Sequence, residues 1–296
     1  MNQKTCVLDM NVLQSAQLAE RLKIESSTRY ILPDVALVEM CKKPEWQLTM
    51  RLALQGLKDS ADDIQVTLSI GEALSIELKR LIPIKNDEFL SEPFTDLVRN
   101  LVRLFAQDAA EVDAELEGKV LKARELLLKA ELNADDAKAR TKTHIDLLVK
   151  GLNPKIIKGL RSPSLAPERL VSFAYGVAHA YSWDMLVKNH GMSSDAAADY
   201  LELKPLLMRY QFLVVHNCLI HLKNAVVMES FGAHKELNNQ LDFDFALTAS
   251  YFDEVFSNDN GLLTAYAALK VVADTPHSIL AETATEWLTE IGVTNK

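Results

Sequence analysis

The sequence predicts an α/β protein: a parallel sheet flanked by helices, interrupted by a large all-α insertion. Short apolar, β-compatible runs alternate with helical patterns in residues 1–84 and again in 236–296, the alternation expected of strands joined by helical crossovers. Residues 85–235 carry helical periodicity alone. The chain also holds only 10 Gly and 9 Pro in 296 residues, and long stretches are built of Ala, Leu, Glu and Lys, which lose little rotamer freedom in a helix. Helix should therefore dominate, with one α/β domain assembled from the two ends of the chain.

The elements come in this order. Lys4 to Leu8 reads as a strand ending at Asp9, and Val12 to Lys23 as a helix. Arg29 to Leu32 is a second strand, and Pro33-Asp34 starts a helix that carries Glu39 about a turn and a half in. Trp46 to Leu57 has helical spacing, Ile64 to Leu68 alternates as a strand, and Ser69 is a suitable cap for a helix to Leu81. In the middle segment, 109–150 is highly charged and suits a long hairpin, whereas Pro205 to Val227 is apolar enough to pack inside. Asp242 to Ser250 is expected to begin a helix. Glu254 to Ser257 is a strand ending at Asn258-Asp259, and Leu262 to Leu269 a helix. Val271 to Ala273 is expected to be a last strand before a terminal helix from about Ser278.

This order has a chemical consequence. Ligands of open α/β sheets gather beyond the carboxyl ends of the strands, where loops and helix starts converge. Asp9 and Asp259 fall at that edge, Glu39 leaves the second strand on its helix, and Asp244 precedes the strand that delivers Asp259. Grouped carboxylates raise one another's pKa unless a cation neutralises them, so the four acids are candidate ligands of Mg²⁺ or Mn²⁺. Asp242 competes with Asp244, because both lie where the helix is expected to start and a carboxylate there can simply cap it.

Val7-Leu8-Asp9-Met10-Asn11 resembles the strand-Asp-x-Asn opening of PIN-domain proteins. Ile31-Leu32-Pro33, followed by Val35 to Val38 and Glu39, resembles their Pro-led helix, and the run from Asp244 to Asp259 is similar to their Asp-initiated helix and the strand ending in Ser-x-Asp. The resemblance covers roughly residues 1–84 and 236–296, and it implies a metal-dependent endoribonuclease that hydrolyses RNA phosphodiester bonds. It makes Asp9, Glu39, Asp244 and Asp259 the metal-binding acids, with Asn11 ordering the site and Ser257 supporting the last acid. Homodimerisation is a further expectation from the family. The helical insertion departs from the family pattern and leaves substrate choice open: DNA in place of RNA, as in a toxin or defence nuclease, or a PIN-like binding module without turnover that uses the insertion to hold a protein partner or inhibitor.

Composition narrows the alternatives. A net charge of −9 argues against a general nucleic-acid coating protein, since phosphate binding rests on Lys and Arg. Yet between Lys119 and Arg169 there are 12 Lys/Arg against 6 Asp/Glu. Lys138, Arg140, Lys142, Lys155, Lys158 and Arg161 are therefore candidate phosphate contacts, the alternative being an ordinary solvated face. Arg209, His216 and Lys223 recur every seven residues along one helix, and Arg209 and Lys223 join the nucleic-acid candidates. Cys6, Cys41 and Cys218 are isolated in apolar surroundings and read as buried thiols. His144, His179, His190 and His221 show no zinc-motif spacing, and Tyr175, Tyr181 and Trp183 read as core more than as base-stacking platforms. No basic-then-apolar leader opens the sequence, and no apolar run approaches the roughly 18 residues of a membrane span. A cytoplasmic protein is the expectation.

Overall fold

The computed structural model describes residues 3–24, 27–42, 44–106 and 133–293, with Gly118, Leu121, Lys122 and Glu125 described singly. The chain divides into two compact units: residues 1–73, 85–132 and 244–263 form the first, and 74–84, 133–243 and 264–296 the second. Most of the expected hairpin's first half, 109–132, lies outside the described residues.

The first unit is built on four parallel strands, β1 (Lys4–Leu8), β2 (Thr28–Leu32), β3 (Ile64–Val66) and β4 (Glu254–Phe256), in the order β3-β2-β1-β4. Cys6, Val7 and Leu8 of β1 and Ile31 and Leu32 of β2 are wholly buried. These continuous apolar runs suit inner strands covered on both faces. At the far end of β1, Thr5 donates from its backbone nitrogen and its hydroxyl to Asp253 Oδ2, both at 2.8 Å, and so aligns β4 from the opposite end of the chain. Arg21 on α1 (Ala16–Ile24) pairs with Glu254 and lies over the Phe256 ring.

Helices α2 (Asp34–Cys41), α3 (Trp46–Gln55) and α4 (Ile70–Arg80) complete the first stretch. Ser69 caps α4 as expected: its hydroxyl accepts from Glu72 N at 3.2 Å while Glu72 Oε2 accepts from Ser69 N, a reciprocal capping box. The outer edge of β3 is closed by residues 85–106. Leu68 N donates to Phe89 O, Val66 N donates to Thr95 Oγ1 at 2.9 Å, and Arg99 on α5 (Glu92–Ala106) donates to Ile64 O and Asp62 O. Such cover protects a strand edge that would otherwise be a template for another chain.

The second unit is helical: α6 (Ala134–Gly151), α7 (Pro154–Leu160), α8 (Pro167–His190), α9 (Ser194–Glu202), α10 (Leu206–Lys223) and α13 (His277–Glu290), with parts of α4, α11 (Ala233–Ala249) and α12 (Asn260–Asp274). α10 packs on α8 and buries Leu206, Met208, Phe212, Leu219 and Cys218, as its apolar composition predicts. Gly191 ends α8 in a left-handed conformation at φ 67°, which costs a residue without Cβ least. The expected strand at Val271 to Ala273 is instead the last full turn of α12, because Leu262, Ala265, Ala268, Leu269 and Val272 bury one helical stripe through it. Packing of that stripe overrides the β-preference of two valines.

A Cβ on Gly159 would lie 3.1 Å from Trp287 Cζ2 and from Ile291 Cδ1. Trp287 is buried edge-on against Phe173 and has little room to withdraw. Gly159→Ala should therefore destabilise the protein by about 1–3 kcal/mol through overpacking, despite the better helix propensity of Ala, and denaturant unfolding will read it.

Glu236 is fully buried and accepts from Thr141 Oγ1 at 2.5 Å, Asn217 Nδ2 at 3.2 Å, and His221 Nε2 and Asn239 Nδ2 at 3.3 Å, tying α6, α10 and α11 together. Burial pushes this carboxyl up, but the bonds from His221, Thr141 and Asn239 outweigh it and hold the group below the ordinary 4.5. A depressed folded-state value contributes stability above the unfolded pKa, and that contribution is lost as pH falls through the folded value. Wild-type stability should therefore drop from about pH 5 downward more steeply than that of Glu236→Gln, as urea titrations across that range will show.

Candidate acidic site at the sheet edge

Asp9 is the residue after β1, and its backbone N–H donates to Phe256 O at 3.1 Å, so the β1–β4 pairing runs up to the carboxylate itself. Its side chain is 5% exposed. Ser257, the residue after β4, donates its hydroxyl to Asp9 Oδ2 at 2.5 Å and accepts from Asp259 N at 2.9 Å. Asn11 reaches the same hydroxyl through Nδ2 at 3.5 Å, and its Oδ1 accepts from Asn258 N at 3.1 Å. The loops after β1 and β4, almost 250 residues apart in sequence, are thus stitched together by Asp9, Asn11 and Ser257.

Burial raises the proton affinity of Asp9; the Ser257 and Met10 bonds lower it, and the nearby charges of Glu39 and Asp259 raise it, leaving it above the ordinary 3.8. Three of the expected acids therefore share one electrostatic neighbourhood, a like-charge crowding that a cation would relieve. Each acid also has a protein partner. Glu39 Oε1 lies 3.1 Å from Lys42 Nζ, a half-exposed ion pair worth about 0–1 kcal/mol and readily exchanged for another cation. Asp259 Oδ1 accepts from Gly261 N at 2.6 Å and Leu262 N at 3.0 Å, which makes it the N-cap of α12. Lys42 is a site residue that sequence reasoning missed; its spacing of three residues from Glu39 on a continuing turn was the available signal.

Asp244 and Asp242 do not stand at the helix start expected of them. α11 begins at Ala233, so both acids lie in its interior and neither is in a first turn. The helix starts earlier because the preceding residues pack Leu237 and Leu241 into the core. Both are half-buried, and the boundary between the units falls between Phe243 and Asp244.

The donor chemistry fits a hard divalent ion, since the acids supply carboxylate oxygens without thiol or imidazole. Among the described residues, no three His, Cys, Asp or Glu side chains already converge as a cage, in keeping with acids turned toward Ser257, Lys42 and the α12 N-terminus. Cys6, Cys41 and Cys218 are buried.

The candidate cations belong to the helical unit and the acids at the sheet edge to the other. Several of the cations are engaged within their own unit: Lys138 donates to Glu229 O at 3.1 Å, Lys142 pairs with Glu229 at 2.5 Å, and Arg140 donates to Gln240 Oε1 at 2.9 Å. Lys155 donates to Gly292 O, Arg161 to Leu222 O and Arg209 to Lys204 O. Lys158 is exposed and Lys223 half-buried. His216 does not share a surface with Arg209 and Lys223: it is buried against Phe212, and burial pushes its imidazole down to about 4. Tyr175 is core, whereas Tyr181 is 47% exposed. Among the described residues no helix is long and apolar enough to cross a membrane. No protein-family model, curated protein or solved structure matches the chain, so the reading of the site rests on its own geometry.

Proposed function

We propose that the sheet-edge acids form the site of a PIN-like, divalent-metal-dependent endonuclease that hydrolyses phosphodiester bonds, with RNA the favoured substrate. The observation that carries this reading is the shared field of Asp9, Glu39 and Asp259 beyond the carboxyl ends of parallel strands. Asp9, Glu39 and Asp259 would hold Mg²⁺ or Mn²⁺, with Asp244 as the fourth acid of the resemblance. A bound divalent ion supplies Lewis-acid polarisation of the phosphodiester and a more acidic water. Ser257 holds the Asp9 carboxylate in position, Asn11 aligns the two loops, and Asp259 orients its remaining oxygen from a capped helix start. A toxin or defence role suits such a nuclease, and the metal mechanism works equally on DNA because it does not need the 2′-hydroxyl.

The test is cleavage of labelled RNA and DNA in parallel with Mn²⁺ or Mg²⁺, by wild type and by Asp9→Asn. Equal cleavage by both proteins sinks the reading, and preference for DNA moves the substrate.

A second reading is a PIN-like module without turnover that binds a protein partner or inhibitor through its helices. It is favoured by the engagement of Glu39 with Lys42 and of the basic side chains with neighbours in their own unit. Stoichiometric co-purification of a partner, with no metal-dependent cleavage at any pH, decides for it.

A further inference from the structure

The helical unit carries a second cluster of ligand-type side chains that the acidic site does not use. Tyr175 and His179 lie one turn apart on α8, His277 is the first residue of α13, and Glu202 ends α9. The Tyr175 hydroxyl oxygen and His277 Nδ1 are 2.9 Å apart. The rings of His179 and His277 are 4.8 Å apart, centre to centre, and inclined by 40°. We propose that His179 and His277 are two ligands of a site for a borderline divalent transition-metal ion, with Zn²⁺ as its archetype, completed by water.

The spacing fits this use. With Zn–N bonds of about 2.0–2.1 Å and the ring centre about 1.1 Å behind the nitrogen, two imidazoles on one tetrahedral ion have centres about 5 Å apart. The observed ring separation is close to that value. Metal-bound imidazoles commonly direct their other nitrogen to an oxygen, which sets the tautomer. If His277 Nδ1–H donates to the Tyr175 oxygen, Nε2 presents its lone pair. Burial and the field of Glu202 push the Tyr175 phenol up to about 12, so it stays neutral and able to accept. Burial and the neighbouring His277 lower the proton affinity of His179, against an opposing pull from Glu202.

Both histidines are half-buried, held by a helix pair that packs through Phe173 and Trp287 and is clamped by Arg169 on Glu290. That support pre-positions the rings while leaving an approach from solvent. Two protein nitrogens fall short of a closed structural site, so the remaining positions on the ion are open to water. Imidazole donors select borderline metals over Mg²⁺ and Mn²⁺, so this site and the sheet-edge acids would take different ions. The inference is independent of the nuclease reading.

The experiment is calorimetric titration of the full chain with Zn²⁺ in excess Mg²⁺, together with the visible spectrum of bound Co²⁺. One Zn²⁺ per chain is expected, weakened at least about tenfold by His179→Gln and by His277→Gln, and about tenfold by Tyr175→Phe through loss of the supporting oxygen. Far-UV circular dichroism checks that the variants fold. Should a variant unfold, the wild-type chain decides: Zn²⁺ must shift the ring resonances of both histidines. Absence of saturable Zn²⁺ binding by wild type, equal binding by the folded histidine variants, or unmoved ring resonances overturns the proposal.

Discussion

Glu77→Ala should cost about 3–5 kcal/mol of stability, the largest loss expected from a single truncation in the helical unit. Glu77 is wholly buried, and its carboxylate accepts three backbone N–H groups: Ile84 at 3.1 Å, Leu206 at 2.9 Å and Leu207 at 2.8 Å. The last two open α10, whose N-cap is Pro205 and offers no side-chain acceptor. A carboxylate at that position meets both the orphan donors and the positive end of the helix dipole. Truncation leaves three buried donors unpaired at about 1–3 kcal/mol each, partly recovered by water that enters. Set against a typical total of about 5–15 kcal/mol, this is a major fraction of the fold's stability. Glu77→Gln keeps the shape and one good acceptor and should lose about 1–2 kcal/mol. Urea midpoints measure both, and faster hydrogen exchange at Leu206 and Leu207 would localise the damage. A loss below about 1 kcal/mol for the alanine variant would contradict the clamp.

Asp9→Asn should abolish metal-dependent cleavage, lowering the rate by at least about 100-fold, because it removes a negative ligand oxygen from the centre of the proposed site. The same substitution should raise stability. A carboxyl whose folded-state pKa is raised favours folding while protonated, and that advantage is lost as pH rises through the folded value. At neutral pH the ionised Asp9 is therefore a net cost to the fold, set by burial and by the charges of Glu39 and Asp259. Asparagine has no charge to desolvate and can still accept from Ser257. Inactivity joined to a higher melting temperature would mark a site that sacrifices stability for chemistry. Inactivity joined to a lower melting temperature would point instead to a structural role for Asp9.

The neighbouring residues show why the site is only partly legible in the sequence. Asp9 and Asp259 can be placed at strand ends because the apolar runs before them stop abruptly, a local signal. Which acid caps a helix is not local in the same way. Sequence preference offers Asp242 and Asp244 as caps of a helix that in fact starts earlier, at Ala233, while Asp259 caps the next helix, since the preference for Asp at such positions does not say where a helix start really falls. Helical phase alone places Glu39; its pairing with Lys42 depends on rotamers that spacing does not settle.

By itself the sequence determined the alternation of short buried strands with helices, the Ser69 cap, the apolar character of α10 and the burial of the three cysteines. These features are written within a few residues of one another, in periodicity and cap chemistry. Tertiary structure alone decided that α5 closes the β3 edge, that Glu77 caps a helix about 130 residues away, that Glu236 gathers donors from three helices, and that Val271 to Ala273 continue a helix. The first three are pairings between distant residues whose partners have no common local pattern. Burial also changes which local preference prevails, as at the valines of α12, because packing outweighs the small intrinsic differences between helix and strand.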